Sequence, residues 1–187
     1  GRLAQAAVVV LDATTLTPVA KAIWREEVRF PYVSGLLSFR EIPAVLAALE
    51  QLPSLPDLIM CDGQGIAHQR RIGLASHLGV LLDLPTVGAA KSRLTGVAEE
   101  PPQEACAWTP LVDRNEVIGA LLRTRTGVKP MYISPGHRVT LYDAIATVLA
   151  CITRYRMPEP TRLAHLLSRE SSEIISAQDS AQKTSEA

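Results

Sequence analysis

LIMCDGQG, residues 58–65, is the stretch on which the fold turns. Leu58 to Cys61 is a short apolar run that suits a buried strand. It closes on Asp62-Gly63-Gln64-Gly65, where chain reversal is cheap because glycine accepts positive φ. A helix is expected next, from about Arg71 to Leu82, and Pro85 to Ala90 (PTVGAA) reads as a further short strand. Asp62 therefore ends a buried strand and opens a glycine-rich loop, the place where open α/β sheets bind their ligands. Taken alone, an aspartate that caps a turn is the commoner explanation. The two glycines make neither a Walker loop nor a complete GxGxxG, so the loop is not specific by itself.

Outward from this stretch the pattern continues. Towards the N-terminus, Ala6 to Leu11 (AAVVVL) suits a strand buried on both faces, and Val19 to Phe30 reads as its antiparallel partner across a turn near Thr14 to Pro18. Arg40 to Leu52 places Val45, Leu46, Leu49 and Leu52 at helical spacing, with Pro43 tolerable only in the first turn. Towards the C-terminus, Trp108 to Val112 and Val117 to Arg123 look like a hairpin around Asp113-Arg114-Asn115, and Tyr132 and Ile133 hint at another strand. Thr140 to Tyr155 reads as a long amphipathic helix, broken at Pro158 and Pro160 and resumed from Thr161 to Ser168. Antiparallel strands followed by strands alternating with helices predict an α/β protein, a mixed β-sheet flanked by helices. Residues 1–169 are expected to form one domain. From residue 170 to 187, Ser, Gln, Ala and charge dominate, which predicts a disordered tail.

Composition narrows the class without naming a function. The chain has 187 residues, 47% of them hydrophobic and 20% charged, enough to bury a core. Lys plus Arg and Asp plus Glu stand at 19 each, so no global positive field advertises a nucleic-acid partner. A local one is available: Arg123, Arg125, Lys129 and Arg138 fall between Val117 and Tyr142 without an acidic residue, and a solvated loop face explains that run equally well. Cys61, Cys106 and Cys151 lie far apart, which argues against a zinc site or a disulfide framework and suits reduced thiols in the cytoplasm. No apolar run is long enough to cross a bilayer, so no membrane partner is expected.

Several side chains could carry chemistry. Glu41, at the start of a predicted helix, is favoured there by the helix dipole; convergence with Asp62 would supply the oxygen ligands that magnesium prefers. His68 (GIAHQRR) and His137 (SPGHR) lie in glycine-containing loops beside arginines, where phosphate contact and simple solvation are both reasonable. His77 falls mid-helix and reads as structural, and His165 alone would read as half-buried packing. Lys91 follows a strand and is either a phosphate-binding lysine or a solvated strand end. Pro31-Tyr32-Val33-Ser34-Gly35-Leu36-Leu37 combines an aromatic with proline, glycine and leucines; such loops can wedge into stacked bases, though more often they cover a core.

Together these segments resemble the endonuclease V family. The resemblance is carried in order by PYVSGLLSFRE (31–41), PDLIMCDGQGIAHQRRIGLASHLGVLLDLPTVGAAKSRL (56–94), SPGHRV (134–139) and MPEPTRLAHLLS (157–168), and it extends over about residues 6 to 169. It implies a ribonuclease H-like fold and a Mg²⁺-dependent nuclease, with Mn²⁺ a plausible substitute. By the same resemblance the enzyme nicks double- or single-stranded DNA at the second phosphodiester bond 3′ to deoxyinosine, leaving the lesion in place. It further implies metal binding by Glu41 and Asp62, an active-site lysine at Lys91 and a catalytic histidine at His165. Tyr32 matches the aromatic wedge, and Gly35, Leu37, Gly63 and Gly65 the pocket for a flipped base; His68 is carried as a substrate contact. A monomer in the cytoplasm is expected. An RNA-directed member would carry the same motifs, so inosine-containing RNA stays open as a partner.

This sequence also departs from the family pattern. A first strand of the type GVDxS, whose aspartate is a metal ligand, is missing, and GRLAQAAVVV matches the family's second strand. Asp12 lies beyond that strand in a turn and is a poor substitute. The expectation is a sheet lacking its first central strand and a metal lacking one carboxylate, as in an N-terminally truncated sequence; a catalytically impaired fragment that binds inosine or nucleic acid is the alternative. Ser34 and Gln69 stand where proline is frequent, a change of loop stiffness more than of chemistry.

Overall fold

β-Branched and small apolar residues set most of the strands, and left-handed residues, Arg114 and Arg138, directly follow two of them. The computed structural model describes residues 3–28, 33 and 35–169. It begins with an antiparallel hairpin, β1 (Leu3–Leu11) and β2 (Pro18–Glu27), whose turn is held by Asp12 Oδ1 accepting from the backbone N–H groups of Thr14 and Thr15 at 3.0 and 2.8 Å. Then follow α1 (Leu37–Leu49), β3 (Ile59–Cys61), α2 (Leu74–Leu82), β4 (Thr86–Ala90), β5 (Trp108–Asp113), β6 (Glu116–Leu122), β7 (Met131–His137) and α3 (Leu141–Ala150). Residues 159–169 form a last helix, α4.

Among the described residues the strands make two sheets. One is the β1–β2 pair; the other has five strands in the order β3-β4-β7-β6-β5, with β3 and β4 parallel and the remaining neighbours antiparallel. β4 is buried at all five positions, as PTVGAA requires of a strand covered on both faces. α3 packs Ala144, Ile145 and Val148 against Val87, Ala89, Leu122, Met131 and Ile133. α2 lies against β4 and β7. α1 joins the two sheets: Ala44 and Ala48 pack on Ala6 and Ala22 of the hairpin, while Leu49 meets Cys61, Ala75 and Leu78. The mixed sheet flanked by helices is thus present.

Element boundaries differ from expectation in places, each with a local cause. α1 starts at Leu37, so Pro43 sits in the second turn rather than the first, on the exposed face of the helix. α2 starts after Gly73 because Arg71 takes a positive φ of 59°. The β5–β6 turn uses Arg114 and Asn115 at φ 52° and 64°, the left-handed pair that a two-residue hairpin loop demands. α3 begins with a capping box between Thr140 and Asp143 and stops at Ala150, short of Tyr155. Pro160 does not break α4 but lies in its first turn, where no N–H is needed.

Candidate active site

The site forms at the C-terminal ends of the parallel strands β3 and β4. Cys61 pairs with Gly88, so Asp62 and Lys91 leave neighbouring strands on the same edge of the sheet. Lys91 Nζ donates to Asp62 Oδ2 at 2.5 Å. The backbone of the DGQG loop is packed tightly beneath them. A Cβ at Gly65 would lie 1.9 Å from the Pro135 carbonyl oxygen, and one at Gly88 would lie 2.4 Å from the Gly65 nitrogen, so both glycines are required by close backbone approach. Gly65 N–H donates to Ser134 Oγ at 2.8 Å, and the Gln64 carbonyl accepts from Ala75 N–H at 3.0 Å.

Glu41 brings a second carboxylate. It is the fifth residue of α1, past the first turn, so the helix dipole does not account for it. Burial, the largest effect, raises its pKa; the charge of Arg40 pulls the other way, and the charge of Asp62 raises it further. The neighbouring Cys61 thiol is pushed up to about 12, first by burial and then by the charges of Glu41 and Asp62. Glu41 and Asp62 therefore share one field. Among the described residues, no cluster of three or more His, Cys, Asp or Glu side chains could hold a metal. Two carboxylates that repel one another still fit Mg²⁺, which binds through one or two carboxylates and keeps water or phosphate oxygens as its remaining ligands.

The sequence model of endonuclease V matches residues 1–166. A relative from Roseiflexus sp. (strain RS-1), "Endonuclease V", is 58% identical over 168 residues, which cover 90% of this chain and 76% of that one. The crystal structure of the endonuclease V from Streptomyces avermitilis superposes with a TM-score of 0.89 at 52% identity, covering 93% of this chain and 76% of that one. This chain belongs to the endonuclease V family. A further member, the Ciona intestinalis endonuclease V (D234N), was crystallised with a 23mer DNA containing an inosine followed by a ribo-adenosine; it matches with a TM-score of 0.79 and 31% identity over 92% of this chain and 80% of that one.

The other candidates fall at the following places in this fold. His165 is exposed on α4, and among the described residues no hydrogen bond or ion pair ties it to Asp62, Glu41 or Lys91. α4 is docked on the hairpin by Gln5 Nε2, which donates to the Ser168 carbonyl at 2.7 Å and to Ser168 Oγ at 3.0 Å. His68 is buried; its Nδ1 accepts from Arg70 N–H at 3.2 Å, and burial, followed by the charge of Arg70, lowers its pKa. Its loop is pinned by Arg71, which reaches Asp113 at 2.9 Å and Glu116 at 2.7 Å on the β5–β6 hairpin. Gly35 adopts a φ of 77° with open space around it, Leu37 is exposed at the start of α1, and a Cβ on Gly63 would make only ordinary contact with Leu74 at 3.5 Å. Tyr32 and Ser34 lie outside the described residues, as does the predicted tail from 170 to 187.

The basic run divides. Arg123 is buried, donating to the carbonyls of Pro101, Pro102 and Val128 and pairing with Glu100 at 2.7 Å, so it is a structural staple. Arg138 pairs with Asp83 at 2.8 Å, and His137 Nε2 lies 3.0 Å from the same carboxylate. Arg125 and Lys129 remain exposed. His77 is structural, as expected: its Nδ1 lies 3.1 Å from Ser38 Oγ, and its ring meets Phe39 edge-on at 4.7 Å, joining α2 to α1. Sequence reading missed Gln64 and Arg156. Gln64 Nε2 donates to the Ser92 carbonyl at 3.0 Å, and an Arg156 guanidinium nitrogen donates to the carbonyls of Pro130 at 3.0 Å and Lys91 at 3.4 Å. Only the position of Gln64 within DGQG could have drawn attention to it.

Proposed function

We propose that this protein is a DNA-repair endonuclease acting in the cytoplasm, which binds deaminated adenine in DNA and hydrolyses the second phosphodiester bond 3′ to the deoxyinosine. The observations that support this reading are the Lys91–Asp62 ion pair at the sheet edge and the charge coupling of Glu41 to Asp62, in a family with a member crystallised on inosine-containing DNA. The free cysteines accord with a reducing compartment. Glu41 and Asp62 would hold a divalent metal, Mg²⁺ or in its place Mn²⁺. Such an ion supplies charge neutralisation at the phosphate and a more acidic bound water.

The remaining steps belong to the chain. Lys91 donates to Asp62, and beside a scissile phosphate its ammonium would stabilise the charge that develops on the non-bridging oxygens. His165 orients the attacking water or delivers the proton that the departing oxygen needs. Tyr32 would wedge the duplex, and Gly35, Leu37, Gly63 and Gly65 would line the space for the extruded base, with His68 as a further substrate contact. A mispaired base costs less to extrude, which favours inosine over intact pairs.

The test is nicking of a duplex with a single deoxyinosine by the full-length protein, in Mg²⁺ and in EDTA, with the cut mapped on a sequencing gel. Metal-dependent cleavage one nucleotide beyond the bond adjoining the lesion is expected; an intact strand in Mg²⁺, or cleavage in EDTA, overturns the reading. A second reading, action on inosine-containing RNA, is favoured by the ribo-adenosine that follows inosine in the Ciona complex. Comparison of all-DNA substrate with one carrying a ribonucleotide after the inosine separates the two.

A further inference from the structure

We infer that Gln64 is a positioning residue for Lys91: its carboxamide fastens the loop that carries Asp62 to the backbone beside Lys91. This rests on the placement of Lys91 at the scissile phosphate made above. Gln64 stands two residues after Asp62, is only 8% exposed, and donates from Nε2 to the Ser92 carbonyl at 3.0 Å. The adjoining carbonyl, that of Lys91, accepts from Arg156 at 3.4 Å. Consecutive carbonyls at Lys91 and Ser92 are thus gripped from two directions, one by a buried amide and one by a guanidinium that also holds Pro130.

The anchor of the amide is itself fixed. The Gln64 carbonyl accepts from Ala75 N–H, Gly65 N–H is bonded to Ser134 Oγ, and Gly88 of β4 presses against the same backbone. The reach of one side chain therefore sets where the Lys91–Ser92 segment leaves the sheet. A lysine stem is flexible and its ammonium is a compact point charge, so the position of that charge depends on where the backbone is held. Gln64 Oε1 is buried, and among the described residues it has no hydrogen-bond partner; the same is true of Arg156 Nε. An apolar side chain of equal length would leave no stranded acceptor, so what glutamine adds at this position is its donor to Ser92.

The variant that isolates this role is Gln64→Met in the full-length protein, which keeps the volume and removes the amide. The measurements are the thermal midpoint, affinity for a deoxyinosine duplex in EDTA, and the single-turnover nicking rate in Mg²⁺, each also in a Lys91→Ala background. Midpoint and affinity should hold while the rate falls about tenfold, the scale of loss from a small misplacement of a reacting group. In the Lys91→Ala background the same substitution should cost nothing more, since its effect passes through Lys91. An undiminished rate, a loss that merely follows a lower midpoint, or an equal loss without Lys91 overturns the inference. A metal-free ¹H–¹⁵N spectrum tests it without reference to cleavage: Gln64→Met should shift the Lys91 and Ser92 amides, and unmoved resonances there sink it. Failure of the unsubstituted protein to nick deoxyinosine would instead count against the proposed function, leaving that spectrum to decide the contact.

Discussion

Lys91 and Asp62 are 38% and 36% exposed in their side chains, so their ion pair contributes only about 0.2–1 kcal/mol and is easily exchanged for stronger partners. That suits the proposed function, in which the pair would separate to meet phosphate and metal. Asp62→Asn should therefore leave the fold intact while Mg²⁺-dependent nicking falls by about a hundredfold or more, the scale of losing one charged group from a preorganised site. Rates comparable to the unsubstituted enzyme would remove Asp62 from the metal site. Glu41 makes the complementary case. Its carboxyl titrates above the ordinary range because of burial first, with the charge of Asp62 also contributing, so the folded state binds a proton that the unfolded chain has already released. Stability then falls as pH rises from the ordinary carboxylate range through the raised value, and above it the cost is fully present. Metal-free Glu41→Gln should melt higher than the unsubstituted protein at neutral pH, and the gain should vanish once both forms of the carboxyl are protonated in acid. A lower melting point at pH 7 would show that the buried charge is compensated. Sequence nominates Asp62 and Glu41 because a strand end and an ordered set of motifs point at them, while their charge coupling is visible only in the fold. It does not nominate Gln64 or Arg156, because each acts through a backbone carbonyl far away in the chain, and no pattern of residue types records that.

At the scale of elements, the strand-loop-helix unit from β3 to α2 was readable from LIMCDGQG and its surroundings, while the close approach of Gly65 to β7 was not. The glycines of this loop look alike in sequence and differ in space. A Cβ at Gly65 would overlap the Pro135 carbonyl at 1.9 Å, whereas at Gly63 it would meet Leu74 at an ordinary 3.5 Å. Gly65→Ala should destabilise the protein by several kcal/mol, since backbone must move to admit the methyl group. Gly63→Ala should melt normally, and if this edge receives the extruded base it should weaken binding of deoxyinosine duplex relative to undamaged duplex. Equal melting of the two variants would refute the packing account; unchanged discrimination by Gly63→Ala would remove that residue from the pocket. The basic run illustrates the opposite failure. Four cations in sequence left a binding patch and a solvated face equally open, yet Arg123 bonds carbonyls and Arg138 pairs with Asp83, because burial and pairing are decided by tertiary neighbours.

Across the whole molecule, the hairpin and the five-stranded sheet are held together by helices, since the described strands of one sheet do not pair with those of the other. α1 supplies the apolar part of that junction through Ala44, Ala48 and Leu49. α4 supplies a polar part: Gln5 of β1 donates to both the carbonyl and the hydroxyl of Ser168, and Gln5 Oε1 accepts from Arg25 at 2.5 Å. His165 lies one turn from Ser168 on that helix, so its placement depends on the hairpin. Each such bond contributes about 1 kcal/mol, enough to change how often α4 opens without unfolding the sheet. Gln5→Ala should thus speed amide hydrogen exchange across residues 159–169, while β4 and β7, packed between α2 and α3, keep their protection. The nicking rate should fall along with α4 protection, and affinity for the lesion should fall less. Exchange that rises equally in β4 and β7 would mean that the junction and the sheet unfold as one unit, and that Gln5 stabilises the whole protein instead of positioning His165.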